Sequence, residues 1–366
     1  MAKQSGPIKV LLVDDSAMVR SMFQRVLSAH PDIVVVGGAK DPFEAREKII
    51  AHRPNVIILD IEMPRMDGLT FLKKLRAHYP VPVIMCSSLT RENSRSALEA
   101  MSAGAVDVVA KPSGGGSEAL RQLGAELAEK IHAAAIAMPT PPPIPASASG
   151  PPAPTSFRAA GLNPARYLVA IGASTGGTEA IDRLLQRVPA DFPPVAIVQH
   201  MPDGFTKSFA ERLNAHSAMT VTEAVDGDVL EVGRAFVARG NAQMMVRAAG
   251  GKLVLRYGST EPVNRHCPSV EVLFDSVAEV APKMSVGVLL TGMGADGAAG
   301  MLRLRQAGAI TTIAQSQSSC VVYGMPKVAV ELGGAAQSAA PQDVPALILK
   351  TLKEYRPAGS SVGAGR

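Results

Sequence analysis

Residues Tyr167–Gly177 read YLVAIGASTGG and run on into TEAIDRLLQRV, Thr178–Val188. The apolar run Tyr167–Ile171 predicts a strand buried on both faces, and Thr178–Val188 a helix with Ile181, Leu184, Leu185 and Val188 along one side. Between them, Gly172-Ala-Ser174-Thr-Gly176 fits the G-x-S-x-G pattern of a nucleophile elbow. Small residues let the chain turn sharply, and the following helix offers free N–H groups and its positive dipole end to a developing oxyanion. The same stretch also suits a glycine-rich loop that binds a phosphate at that helix. Taken alone it does not separate the two.

The alternation continues outward from this unit. Val195–Gln199 predicts a second buried strand, ending in His200-Met201-Pro202, and Phe205–His216 a helix. From Thr220 to Tyr257 the segments shorten, with turn signals at Asp226-Gly227, Arg239-Gly240-Asn241 and Gly250-Gly251. A small antiparallel hairpin region inserted into an α/β domain is expected there. Val270–Ala281 reads as a helix. Strand Val286–Leu290 ends in TGMGADG, Thr291–Gly297, and is followed by helix Ala298–Ala307 and strand Ala309–Ala314. Helices Lys327–Leu332 and Val344–Tyr355 close the domain, and a Gly/Ser-rich tail, 357–366, is expected to be disordered.

Parallel strands thus end in Ser174, His200 and Asp296, and in a doubly wound sheet such ends share one face. Ser174 is the expected nucleophile, His200 the base that takes its proton, and Asp296 the group that orients His200. The chain order Ser, His, Asp differs from the Ser, Asp/Glu, His of α/β-hydrolases. His266, in NRHCPSVEVLF, reads equally as a second active-site group or a loop histidine. Asp203, Asp226 and Asp228 sit in turn contexts and read as structural. Met201, Met244 and Met245 read as packing, whereas the backbone N–H of Met293, in a glycine-rich turn, suits an oxyanion hole. Cys267 and Cys320 lie on no strand-to-helix elbow.

Residues 1 to 137 make five strand–helix units: Ile8–Val13, Ile33–Gly37, Val56–Leu59, Val83–Cys86 and Val106–Ala110, each followed by a helix. A five-stranded parallel sheet is expected. Asp14 and Asp15 follow its first strand, Asp60 its third, Ser87 and Ser88 its fourth, and Lys111 its fifth. Three carboxylates meeting in one crevice repel unless a hard cation neutralises them, which suits Mg²⁺. A lysine and a hydroxyl are what a phosphoryl group on Asp60 would need around it. Residues 138–165, rich in Pro, Ala and Ser, read as a linker to the catalytic unit, 166–356.

Other classes find little support. The net charge of +5 is mild for 366 residues, and no Lys/Arg run or aromatic-rich stretch suits nucleic acid. No apolar run of about eighteen residues suggests membrane insertion. The three cysteines, widely spaced, fit neither a disulfide framework nor a zinc site, so a reducing cytoplasm is expected. A DNA-binding output domain would be helical and basic. A nucleotide-binding module would leave His200 and Asp296 without a shared task.

The N-terminal motifs VDDS, LDIEMPRMDG, SS at Ser87-Ser88 and AKP at Lys111 make this unit resemble a response-regulator receiver. The resemblance implies a flavodoxin-like fold, phosphorylation of Asp60 by a histidine kinase, Mg²⁺ held by Asp14, Asp15 and Asp60, and switch positions at Ser87 and Lys111. Val108 stands where receivers often carry an aromatic switch residue. The second half, with AIGASTGGTEAI, QHMP, NRHCPSVEVLF and LLTGMGADGAAGM, resembles the chemotaxis protein-glutamate methylesterase family. That resemblance implies hydrolysis of glutamyl methyl esters on methyl-accepting chemotaxis receptors and deamidation of receptor glutamines. It places Ser174, His200 and Asp296 at the catalytic positions, with Thr175 and Met293 beside them. It implies the receptors and a chemotaxis kinase as partners; a cytoplasmic monomer with no cofactor in the catalytic domain is expected.

Overall fold

The computed structural model describes residues 6–88, 90–111, 116–137 and 156–355. In the N-terminal unit, β1 (Ile8–Val13), α1 (Ala17–Leu27), β2 (Ile33–Ala39), α2 (Pro42–His52), β3 (Val56–Asp60), α3 (Gly68–His78), β4 (Val83–Ser87), α4 (Arg91–Ser102), β5 (Asp107–Ala110) and α5 (Ser117–Ile136) alternate. The strands form a parallel sheet in the order β2-β1-β3-β4-β5. Both faces are covered by helices, so β3 and β4 are buried at every residue, as a parallel sheet requires. Local chemistry starts the helices where the sheet needs them. Side chains of Ser16, Asp41, Asp67 and Thr90 accept hydrogen bonds from the first turns of α1 to α4. Gly68 is forced: a Cβ there would lie 2.0 Å from the carbonyl oxygen of Asp60.

The second unit runs β6 (Leu168–Ala173), α6 (Gly177–Leu185), β7 (Val195–Gln199), α7 (Thr206–His216), β8 (Thr220–Glu223), β9 (Arg234–Val237), β10 (Met244–Ala249), β11 (Lys252–Tyr257), α8 (Val270–Val280), β12 (Ser285–Leu289), α9 (Ala298–Gln306), β13 (Thr311–Gln315), α10 (Met325–Glu331), β14 (Gln337–Ala339) and α11 (Val344–Glu354). Its seven-stranded sheet, β14-β13-β12-β6-β7-β9-β8, is parallel throughout. The chain winds one way from β6 to β7 and returns on the other side at β12, so the strand order reverses beside β6. Crevices form at such switch points.

The small antiparallel hairpin is present as β10–β11, docked on α8 through Val246 N–H to Ser276 Oγ at 2.9 Å. It is shorter than the expected 220–257 region, because β8 and β9 join the main sheet as parallel strands. Ala235, Phe236 and Val237 are fully buried, which a sheet interior explains and a surface hairpin would not. The turn signal at Asp226 serves β11 instead: Asp226 accepts from Tyr257 N–H and from Arg256, each at 2.8 Å. Strand β14 carries only the polar run Gln337–Ala339 and gave no periodic signal.

Residues 138–155 of the expected linker, and the tail from 356 on, lie outside the described residues. The rest of that stretch is not linker. Packing resumes at Ser156 rather than at 166: Asp191 accepts from Ser156 Oγ at 2.6 Å, Phe157 N–H at 3.1 Å and Arg158 N–H at 2.9 Å. Phe157 is fully buried, its ring edge-on to Phe192 at 5.1 Å. Phe157→Ala is therefore expected to destabilise the catalytic unit by about 3–5 kcal/mol. Its urea transition should move while that of the N-terminal unit stays. An unmoved midpoint would return 156–161 to the linker. Among the described residues no helix is long and apolar enough to cross a membrane.

Candidate active site

Ser174 leaves the end of β6 and is almost buried. Its backbone fixes the turn: the N–H donates to Thr291 O at 3.0 Å, and the carbonyl accepts from Gly177 N–H at 2.7 Å and Gln199 Nε2 at 3.0 Å. Gly176 turns the chain at φ 78°, a left-handed conformation that side chains resist, and α6 begins at the next residue. In the β6–β7 register Ala173 faces Gln199, which sets His200 beside Ser174, and His200 N–H donates to Ala173 O at 3.0 Å. The third strand end, after β12, brings Asp296 back to His200: Nε2 lies 2.8 Å from Asp296 Oδ2. The other ring nitrogen, Nδ1, is buried with no hydrogen-bond partner.

Asp296 is saturated. Oδ2 also accepts Val270 N–H at 2.7 Å, while Oδ1 accepts Ser269 Oγ at 2.7 Å and Asn264 Nδ2 at 2.8 Å. Burial alone would push its proton affinity up. The bonds from His200, Asn264 and Ser269, with the His200 charge, outweigh burial and hold the carboxyl well below the usual carboxylate range. Asp296 thus receives the first N–H groups of α8, not those of α9, whose start it precedes. Asn264 and Ser269 were not singled out from the sequence. Their signal was faint: two polar residues flanking His266 just ahead of a helix.

The remaining candidates separate cleanly. Thr175 is buried and its hydroxyl donates to Asp107 Oδ2 of the N-terminal unit at 2.5 Å. Met293 is half-buried in the turn after β12. His266 is an active-site neighbour: its ring stacks on His200, centroids 3.7 Å apart and planes 13° apart. Asp203 bonds the Gly204 N–H, and Asp228 the Val225 N–H, as turn residues do. Met201 and Met244 are core, Met245 is half-buried beside Arg247, and Cys320 is buried.

In the N-terminal unit the carboxylate oxygens of Asp14, Asp15 and Asp60 lie within 4.8 Å of one another. Lys111 Nζ stands 2.7 Å from Asp60 Oδ2 and 3.1 Å from Asp14 Oδ2. With three carboxylates set against one ammonium, negative charge is left in surplus. Burial raises the Asp60 carboxyl to about 6, and the charge of Asp14 adds to this, although Lys111 pulls the other way. Lys111 in turn is held above its usual range, because Asp60 and Asp14 outweigh its own burial. An all-oxygen cluster with surplus negative charge fits a small hard cation. Ser87 is buried, its hydroxyl donating to Ser88 O at 3.0 Å, and its carbonyl accepts Lys111 N–H at 2.7 Å.

The two units touch along α4, β5 and α5. Helix α4 packs on α6 and α7. Arg212 Nη1 donates to Leu98 O at 2.9 Å and also pairs with Glu179 and Asp182 of its own unit. Ser94 Oγ donates to Gly204 O at 3.2 Å, and Arg95 pairs with Glu211 at 2.9 Å. Val321 joins the apolar cluster that includes Leu127 and Ile131 of α5. Asp107, bonded to Thr175, also holds Lys130 at 2.8 Å, and Glu129 lies 3.7 Å from His266 Nε2.

Comparison with known proteins agrees with this layout. A family model described as CheB methylesterase matches residues 169–348, and one described as response regulator receiver domain matches residues 10–123. The protein-glutamate methylesterase/protein-glutamine glutaminase 2 of Hahella chejuensis is 46% identical over 94% of this chain and 96% of its own. That of Syntrophus aciditrophicus is 50% identical over 89% of this chain and 94% of its own. A crystal structure of the Thermotoga maritima CheB methylesterase catalytic domain, 36% identical, covers 50% of this chain and 97% of its own, with a TM-score of 0.49. With relatives of such identity aligned along nearly its whole length, the chain belongs to the protein-glutamate methylesterase/protein-glutamine glutaminase family, built as a receiver domain followed by a methylesterase domain.

Proposed function

We propose that this chain is a phosphorylation-activated hydrolase that demethylates glutamyl methyl esters of methyl-accepting chemotaxis receptors and deamidates selected receptor glutamines, as part of chemotaxis adaptation. The observation that carries the reading is His200: one ring nitrogen is tied to Asp296, the other is buried and unpartnered, and the residue follows the strand paired with the one that ends in the Ser174 elbow. With Nε2–H committed to the carboxylate, Nδ1 is the basic nitrogen. Ser174 Oγ attacks the ester carbonyl while Nδ1 takes its proton. The proton then leaves with methanol, or with ammonia when the substrate is an amide. Water, deprotonated at the same nitrogen, hydrolyses the acyl-enzyme. The N-terminus of α6 and the backbone around Thr175 and Met293 supply the donors for the oxyanion.

In the receiver, Asp60 is the phosphoryl acceptor, with Ser87 and Lys111 placed to meet the phosphoryl oxygens. Asp14, Asp15 and Asp60 would hold Mg²⁺, which when bound neutralises charge as the phosphoryl group transfers. Control runs through β5. One end carries Lys111, next to Asp60, and the other carries Asp107, on the hydroxyl adjacent to the nucleophile. With Val108 at the usual aromatic position, movement of β5 itself is the simplest readout. Phosphorylation adds roughly −1.5 to −2 charges at Asp60. We place the enzyme in the cytoplasm, as a monomer, with the receptors as substrate and a chemotaxis histidine kinase as phosphodonor.

Methanol release from methylated receptor membranes tests the whole reading. The fragment from Ser156 onward should exceed the unphosphorylated full chain by about ten- to a hundredfold, the scale of releasing an interface closed 90–99% of the time. Phosphorylated full-length enzyme should be faster still, because the receiver adds docking surface. Asp60→Asn should stay at the basal rate with or without a small phosphodonor and Mg²⁺. Equal rates for fragment and unphosphorylated chain would remove the inhibition, and stimulation of Asp60→Asn would remove Asp60 as acceptor.

A further inference from the structure

His266 arrives at the active site on a turn that the backbone does not favour. Asn264 and Arg265 both adopt left-handed conformations, φ 53° and 71°, and Val263 and His266 bond each other's backbones at 3.0 and 2.9 Å across the turn. Non-glycine residues in that region cost on the order of 1–3 kcal/mol each and persist only where the surroundings hold them. Here the surroundings are the neighbours of the triad aspartate. Gln243, itself buried, donates from Nε2 to Glu261 O and His266 O, both at 3.0 Å, and accepts Ser269 N–H at 2.8 Å. Asn264 and Ser269 reach Asp296. One network therefore fixes both Asp296, at the edge of the His200 ring, and His266, on its face.

We propose that His266 is a positioning residue for the esterase reaction: its flat, uncharged ring holds the His200 imidazole in the one plane that keeps Nε2 on Asp296 and Nδ1 toward Ser174. This rests on His200 being the base. Without a plate on its face, the His200 ring can turn about its Cβ–Cγ bond, and Nδ1 leaves the line of proton transfer. The plate must also be neutral, because two imidazolium rings 3.7 Å apart would repel as His200 takes the serine proton. The surroundings enforce neutrality. Burial, then the His200 charge, push the proton affinity of His266 down to about 3, with Lys130 and Arg265 acting the same way and Asp296 opposing them. Glu129 of α5, 3.7 Å from Nε2, also faces it.

The experiment measures kcat and KM for methanol release by phosphodonor-treated full-length enzyme, across pH, for three variants at this position. His266→Ala should lose about 100-fold in kcat, the scale of a small misplacement of a reacting group. KM should hardly move. His266→Phe, a neutral plate, should recover most of that loss. His266→Arg keeps a plane but carries a permanent charge, which disfavours protonated His200. The ascending limb of its kcat profile should therefore shift about one unit to lower pH, with a lower plateau. A merely structural residue would move neither the limb nor the Phe–Ala difference. If His266→Ala fails to fold, the Phe and Arg variants still decide. The proposal is overturned by an alanine variant within about twofold of wild type in kcat, a phenylalanine variant as slow as alanine, or an arginine variant with an unmoved limb. His200→Ala separates this from the triad: an active His200→Ala overturns the base assignment, whereas an inactive one beside a fully active His266→Ala overturns only the plate.

Discussion

Ser174→Ala is expected to lower the rate of methanol release by about 10⁶-fold, the cost of removing the nucleophile from a comparable triad. The fold should survive. The bonds that fix the elbow are made by backbone: Ser174 N–H to Thr291 O, and Ser174 O to Gly177 and Gln199. An alanine Cβ occupies the same space, so neither Gly176 nor the start of α6 needs to move. The check is the initial rate in the phosphorylated full-length protein, with the melting temperature measured alongside. A variant that melts like wild type yet keeps activity within about tenfold of it would take Ser174 out of the chemistry, since the expected loss is several orders larger. The stretch Gly172–Gly177 would then revert to the phosphate-binding loop it equally resembles.

The strand ends were legible because a parallel sheet buried on both faces leaves continuous apolar runs. Tyr167–Ile171, Val195–Gln199 and Val286–Leu290 stand out without periodicity, and the loop that follows each run lies at the C-terminal edge. That is why Ser174, His200 and Asp296 could be read together. What the sequence hid was of two kinds. Short elements carry too few residues to show a period: β8, β9 and β14 span only three or four residues each, and their pairing is decided by burial against neighbours far along the chain. Contacts between distant segments leave no local trace either. Asp107 reads as an ordinary strand residue until Thr175 is placed against it, and nothing local marks Asp191 before Phe157 and Arg158 fold back onto it. His266 was ambiguous for the same reason. Its task depends on a ring 66 positions away in the chain, and only the fold brings their faces to 3.7 Å.

Asp296→Asn tests a different property of the site from the serine variant. In the wild type, Oδ2 accepts both His200 Nε2 and Val270 N–H at 2.7–2.8 Å, while Oδ1 accepts two side chains, Ser269 and Asn264, and only at a long 3.4 Å the Glu271 N–H. The backbone N–H of Val270 cannot reverse its direction. The Ser269 hydroxyl and the Asn264 amide can both rotate to become acceptors. The new amide should therefore keep its oxygen at the Oδ2 position and turn its NH₂ toward Ser269 and Asn264. His200 then retains the Nε2–H tautomer but faces a neutral oxygen, and the imidazolium formed during proton transfer loses its counter-charge. Where the equivalent substitution also inverts the tautomer, kcat falls by about 10⁴-fold, so a loss between about 10² and 10⁴ is expected here. That is large, yet smaller than for Ser174→Ala. Asp296→Ala should behave otherwise, because it strands the Val270 N–H and the Asn264 and Ser269 donors, each buried unpaired group costing about 1–3 kcal/mol. Its melting temperature should drop well below that of the asparagine variant. The pair of measurements is kcat for methanol release and thermal unfolding of both proteins. An asparagine variant with activity within about tenfold of wild type, well short of the expected 10²–10⁴ loss, would reduce Asp296 to a cap for α8 with no part in orienting His200.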